Sequence, residues 1–329
     1  MENLHIYKEI EELAHKLGFV DFGVAHSCEL TEEKAYYLKS MDSGYFASMN
    51  YLYRNLDKRF NPSQLVEGGE TVLVFLAPYS LPKSISDTIK PIGVAEYALG
   101  DDYHKIIKDK LFTIMEHLKQ YSSNFIARAF TDSAPILERA WAVKAGLGFI
   151  GQNNFLISPT NGIKNLIGVI VTNLSLPDKF LVYPTLKESI SKAQKGCKTC
   201  NKCLQACKNG SLIAPYTLDS RKCTSFLTIE CKEMEEHMQK ENIDNLNGWY
   251  YGCDSCMNVC PWNAKNKEGW SEFRSNLEIL SKANIEWWSN LDDSNFNKIF
   301  KDSPLLRGGK ANIIAALHAN TKNLTHINK

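Results

Sequence analysis

The chain of 329 residues contains no apolar run of about eighteen residues, the length a membrane-crossing helix requires. Its first residues lack the features of a secretory signal, so nothing points to the oxidising compartment in which disulfides persist. Neither sign of charge is in excess: the formal net charge is +1, which identifies no class of partner. No clear internal repeat is visible. What remains is a chain long enough for two or three domains, whose 44 % hydrophobic content suffices for a substantial core without any metal staple.

Cysteine is the exception to this plain composition. Of ten cysteines, eight fall between Cys197 and Cys260 once Cys231 is set aside. The run Cys197-Lys-Thr-Cys200-Asn-Lys-Cys203-Leu-Gln-Ala-Cys207 has the C-x2-C-x2-C-x3-C spacing that wraps a cubane iron–sulfur cluster, the fourth thiolate going to a neighbouring cluster. Cys253-Asp-Ser-Cys256-Met-Asn-Val-Cys260-Pro261 can return one thiolate to the first cluster and give two to the second, and Cys223 completes four plus four. Such short spacings let a tight loop aim several soft sulfurs at one point, which selects iron–sulfur or zinc over hard cations. Structural zinc competes, because C-x2-C pairs also serve zinc sites. The C-x3-C-P ending and the total of eight favour two 4Fe–4S clusters. Cys28, with no cysteine partner nearby, reads as a structural residue.

The rest of the chain predicts a mixed α+β fold. Ile6, Ile10, Leu13, Ala14 and Leu17 recur at helical spacing and Gly18 stops the helix. Phe19–Ala25 alternates like a strand, Thr71–Ala77 suits a buried strand, and Leu166–Thr172 suits another. A helix is predicted from Asp102 to about Tyr121, with Ile106, Ile107, Leu111, Ile114, Met115 and Leu118 inward. Residues 125–142 read as strand, turn and helix. Gly146, Gly148 and Gly151 form G-x-G-x-x-G, but here the motif follows a helix and precedes a strand, whereas a dinucleotide fold needs strand, glycines, helix; a nicotinamide site is rejected. Helical patches at Leu277–Leu280 and Ile313–Leu317 precede a polar, frayed end.

Asp132 sits where a strand ends, with Pro135 placed for an early helical position. Its structural role would be a helix N-cap. Its chemical role would be a proton donor, with desolvation raising its pKa and holding a proton ready. Tyr103 and His104, directly after Asp102, could be structural or could touch a ligand. Between Asp178 and Lys208 there are seven lysines against two acids, a basic run beside the first cysteine loop that suits a nucleic acid, an acidic redox partner or plain solvent.

Several long motifs occur together in order: Tyr97-Ala through Asp102-Tyr-His104, Asp132 to Gly151 with Leu137-Glu-Arg-Ala-Trp-Ala, Ala214-Pro-Tyr through Cys223, Thr224-Ser225-Phe, and Tyr251-Gly-Cys253 through Cys260-Pro-Trp-Asn263. In these the chain resembles the epoxyqueuosine reductase family, cobalamin-dependent enzymes that reduce the epoxide of epoxyqueuosine in tRNA to queuosine. The resemblance implies an N-terminal α/β cobalamin-binding catalytic domain over residues 1–185, related to reductive dehalogenases. It implies a bacterial dicluster ferredoxin-like domain over 186–265 and a short helical C-terminal segment over 266–329, where the family often carries a helical-repeat domain. It assigns Cys197, Cys200, Cys203 and Cys260 to one 4Fe–4S cluster, and Cys207, Cys223, Cys253 and Cys256 to the other. Asp132 matches the proton donor, with Tyr103 and His104 beside it as catalytic residues. Arg54, Tyr97, Gln152, Ser158 and Ser225 fall in segments that contact cobalamin. Two positions depart from the family: Lys208 stands where a proline is usual, and Gln152 where a lysine is usual.

The resemblance also implies partners: a tRNA anticodon loop carrying epoxyqueuosine, and an external electron donor such as flavodoxin or ferredoxin. It implies a cytoplasmic monomer without membrane attachment. Two other readings keep the same residues: a corrinoid-dependent reductase of a different substrate, and an electron carrier serving another corrinoid enzyme.

Overall fold

A computed structural model describes residues 2–87 and 92–321; the polar end expected to fray lies outside the described residues from 322 onward. Six strands matter for the site: β1 (Asp21–His26), β2 (Thr71–Pro78), β3 (Ala127–Phe130), β4 (Phe149–Ile150), β5 (Leu156–Ile157) and β6 (Asn165–Thr172). Four of them form an antiparallel sheet in the order β1-β2-β6-β3, with Phe22 opposite Phe75, Thr71 opposite Thr172 and Phe130 opposite Val169.

β2 is buried along its whole length because both faces of the sheet are covered. Leu73, Phe75 and Ala77 face the expected helices Glu2–Lys16 and Tyr103–Leu118, joining Ile6, Ile10, Ile107, Leu111 and Ile114 in one core. Val72, Val74 and Leu76 face the short helix Glu138–Lys144, against Trp141, Ala142 and Ala145. Alternate side chains of a strand point to opposite faces, so one apolar run serves two cores. Gly23 permits the close approach: a Cβ there would lie 2.1 Å from the Ala145 carbonyl oxygen.

The helix after β3 starts at Glu138, so Pro135 precedes it and Asp132 is no N-cap. Asp132 instead takes the left-handed conformation, φ 53°, in the turn that leaves β3. The three glycines do follow a helix and lead into the β4–β5 hairpin, as the rejection of a nicotinamide site requires. The C-terminal helices, Leu277–Lys282 through the kinked Leu305–Thr321, share one core with Val94, Ala98, Leu99, Phe226, Leu227 and Tyr251. Among the described residues no helix is long and apolar enough to cross a membrane.

Candidate active site and cluster loops

The eight cysteine thiols gather as two groups of four. Cys260 is an electrostatic neighbour of Cys197, Cys203 and Cys200, while Cys256 is one of Cys253, Cys223 and Cys207. Local geometry supports each group. Cys197 ends the Leu186–Lys198 helix on its buried side, Cys223 opens the Thr224–Ile229 helix, and the Cys207 sulfur accepts the Leu212 N–H at 3.5 Å. Burial first, and then neighbouring thiols, push Cys253 and Cys260 up to about 11 and Cys256 higher still. A bound cation would reverse that shift and draw the protons off. Each quartet supplies the four thiolates that one 4Fe–4S cluster requires. Cys28 is exposed, and Cys231 is buried in the C-terminal core.

Asp132 lies at the centre of the second feature. The Tyr103 hydroxyl donates to Asp132 Oδ2 at 2.5 Å, and His104 Nε2 approaches the same oxygen at 3.5 Å. The other imidazole nitrogen, Nδ1, is 2.6 Å from Asp102 Oδ1, and Asp102 also caps the helix through the His104 N–H at 3.0 Å. The backbone N–H of Asp132 donates to Glu138, and Arg139 donates to the Asn154 carbonyl.

The protonation states differ from expectation. Burial does push the Asp132 carboxyl up, but hydrogen bonds from His104 and Tyr103 outweigh it and hold the group below the ordinary carboxylate value. Burial likewise works against the His104 imidazolium, yet Asp102 and Asp132 raise it to about 9. The ready proton therefore sits on His104 rather than Asp132. A second one sits on Glu138, lifted to about 8 by burial and by the Asp132 charge. The Asp132 side chain is 62 % open to solvent although protein surrounds it on most sides, as befits a group on the wall of a cleft.

Arg307 and Tyr51 complete that wall, and the sequence did not single them out. Arg307 Nε donates to Glu230 Oε1 at 2.7 Å and lies 5.6 Å from the Tyr51 ring, and both Arg307 and Tyr51 feel the Asp132 charge without touching it. Arg54 is exposed just after the Asn50–Tyr53 turn that carries Tyr51, and half-buried Ser225 lies on the helix that leads to Glu230. Tyr97 stands edge-on to Tyr103. Two further expected cofactor contacts, Gln152 and Ser158, are buried. Gln152 donates to the Cys197 carbonyl at 2.6 Å, and Ser158 holds the Thr160–Asn161 loop.

A buried polar chain joins the two features. Asp254, between Cys253 and Cys256, accepts the Glu96 N–H at 2.8 Å, and the Glu96 carboxylate pairs with buried Lys164 at the foot of β6. Burial lifts Asp254 to about 6. Tyr97 follows Glu96 directly, so the second thiol quartet adjoins the ring that touches Tyr103.

Paired thiolate quartets wired to a proton-bearing cleft define an iron–sulfur oxidoreductase. Residues 196–263 match the 4Fe-4S double cluster binding domain, and residues 59–133 match the family described as Epoxyqueuosine reductase QueG, DUF1730. The chain is 34 % identical over 299 residues to an epoxyqueuosine reductase of Cyclobacterium marinum, covering 91 % of each, and 33 % identical to that of Leadbetterella byssophila, covering 93 % and 96 %. It belongs to the epoxyqueuosine reductase family. Its fold matches the solved epoxyqueuosine reductase of Streptococcus thermophilus with a TM-score of 0.78 at 22 % identity, over 97 % of this chain and 81 % of that one. A solved epoxyqueuosine reductase with an epoxyqueuosine-modified tRNA stem loop matches with the same TM-score at 21 % identity.

Proposed function

We propose that this protein reduces the epoxide of epoxyqueuosine in tRNA to queuosine, with residues 1–185 forming the reaction cleft and 186–265 carrying the clusters. The reaction takes two electrons and two protons, opens both C–O bonds to leave an alkene, and releases water. The observation that carries the proposal is the position of Asp132. It shares hydrogen-bonding contacts with Tyr103 and His104, and Tyr97 and Glu96 link it to the loop that holds Cys253 and Cys256.

The cobalamin site is assigned beside Asp132, where Tyr51 and Arg307 both lie within electrostatic reach of its carboxylate. Bound there, cobalamin would supply a low-valent cobalt as reductant. Arg54, Tyr51 and Ser225, on the segments facing Asp132, would hold it. Each cluster passes one electron at a time, so two transfers from an external donor, a flavodoxin or ferredoxin, complete one turnover.

The chain's own groups manage the protons. An alkoxide leaves poorly, so a proton must reach the epoxide oxygen as the bond opens, and Asp132, ionised at rest, relays it from His104. His104 supplies that proton, being charged at neutral pH and bonded on its far side to half-exposed Asp102, which opens to water. Tyr103 fixes the carboxylate orientation. The substrate base reaches the cleft from the single-stranded anticodon loop, where bases can be splayed outward. The protein is read as a cytoplasmic monomer.

Nucleoside analysis of epoxyqueuosine-bearing tRNA, incubated with cluster-loaded protein, cobalamin and dithionite, tests this. Queuosine is the expected product, and Asp132→Asn lowers its rate by about a hundredfold or more while the cluster absorbance persists. Unchanged epoxyqueuosine with the wild type would overturn the substrate, and full activity of the variant would overturn the role of Asp132.

A further inference from the structure

The first thiol quartet lies near the surface, and its surroundings differ from those of the second. Cys203 and Cys260 are only half-buried. Three apolar side chains stand exposed beside them: Val259 next to Cys260, and Ile213 and Tyr216 on the neighbouring hairpin. Tyr216 is an electrostatic neighbour of Cys197 and Cys203. The exposed side chains of this stretch include four lysines, Lys195 and Lys198 at the end of the Leu186–Lys198 helix, Lys202 beside Cys203 and Lys208 beside Cys207, with neutral Thr199, Asn201, Gln205 and Asn258 among them. Gly196, between Lys195 and Lys198, has open space above it. The second quartet has the opposite setting, beneath Tyr97, Tyr251 and Asp254 toward the cleft.

We propose that the Val259–Ile213–Tyr216 spot and its lysines are the docking site of an acidic one-electron carrier protein, which feeds the first cluster. This rests on the reading of the protein as a reductase supplied from outside. Electron transfer weakens steeply with distance, so a donor must come close to a half-buried cluster ligand, and Cys203 and Cys260 offer two beside exposed Tyr216 and Val259. A small apolar centre within a charged rim suits the brief, small interfaces of redox partners, where charge sets the encounter rate more than the affinity. RNA fits less well. The nucleotide to be reduced must reach Asp132 on the side of the second quartet, and a tRNA lying across the first would block its electron supply. At each encounter the carrier loses one electron and the first cluster gains it. Two encounters supply the pair that the epoxide consumes.

Rapid-mixing absorbance of the cluster-loaded protein with reduced flavodoxin, an acidic carrier, tests the surface directly. The wild-type reduction rate is expected to fall steeply between low and high salt. The triple variant Lys195→Glu/Lys198→Glu/Lys202→Glu should be slower by about tenfold or more at low salt and nearly insensitive to salt. Tyr216→Ala should slow the carrier without changing the salt slope. With dithionite as reductant, both variants should match the wild type in cluster reduction and in queuosine formation, which shows that cluster and cleft are intact. Equal rates with the carrier would overturn the proposal, and so would weakened binding of an anticodon stem loop by the triple variant, which would assign the patch to RNA. Failure of dithionite-driven queuosine formation in the wild type would instead overturn the substrate reading alone.

Discussion

Tyr97 stands edge-on against Tyr103, with ring centroids 5.9 Å apart and planes at 83°, and so places one aromatic contact between the second thiol quartet and the acid of the cleft. On one side, the backbone of Tyr97 adjoins Glu96, whose N–H is held by Asp254. On the other, the Tyr103 hydroxyl holds Asp132. In the proposed mechanism, electron supply and proton supply meet across these two rings, and each half of this arrangement can be perturbed separately.

The cysteine division predicts how iron is lost. Cys200→Ser should leave one intact cluster and lower iron from about eight to about four per chain, and Cys223→Ser should remove the other cluster to the same extent. Cys28→Ser and Cys231→Ser should leave iron unchanged. Iron assay with visible absorbance on anaerobically purified protein checks all four.

His104 sets an alkaline limit. Its pKa is raised to about 9, so the proton it holds is present at neutral pH and is lost as pH rises through that value. The dithionite-driven rate should therefore fall through about pH 9. Asp102→Asn removes one carboxylate partner and should move that limb about one unit toward the ordinary imidazole value of 6.5. The same proton links to stability. The contribution of the raised imidazole is complete below pH 6.5 and is lost as pH climbs through about 9. The lowered Asp132 acts in the other direction: its contribution holds above the ordinary carboxyl value and is lost as pH falls through its depressed one. A rate profile unaltered by Asp102→Asn would remove His104 from the proton route.

Lys164 and Glu96 form an almost fully buried ion pair, so removing one partner leaves a charge without compensation. Lys164→Met should cost about 3 kcal/mol of unfolding free energy, and Lys164→Met/Glu96→Gln should recover part of it. Anaerobic denaturant titration of the cluster-loaded protein reads both. A cost below about 0.5 kcal/mol for the single variant would mean that water reaches the pair.

Much of this was legible in the sequence because it is local. The continuous apolar run Thr71–Ala77 constrains a buried strand and Asp102 before Tyr103 constrains a helix start, and both occur as expected, whereas Cys197 and Cys203, read as parts of a tight loop, stand on two separate helices. What escaped depends on contacts between distant segments. The pKa of Asp132 was expected to rise by burial, but two hydrogen bonds from the start of another helix reverse it. Gln152 reads like a cleft residue by its place in a glycine-rich stretch, yet the hairpin turns it toward Cys197. Arg307, far along the chain from Asp132, gives no local sign that it will face the cleft, because only the packing of the last helix against Thr224–Ile229 brings it there.

That packing has a consequence for the life of the enzyme in air. Val94–Leu99, the Thr224–Ile229 helix, Tyr251 and the last helix share one core, so Cys223, proposed as a ligand of the second cluster, packs into the same core as Tyr97. Cluster binding stabilises that whole unit by mass action. On the proposed ligand division, oxidative loss of the second cluster should do more than interrupt the current: it should loosen the packing around Tyr97, and electrons from a chemical reductant should not restore turnover until iron and sulfide have been rebuilt.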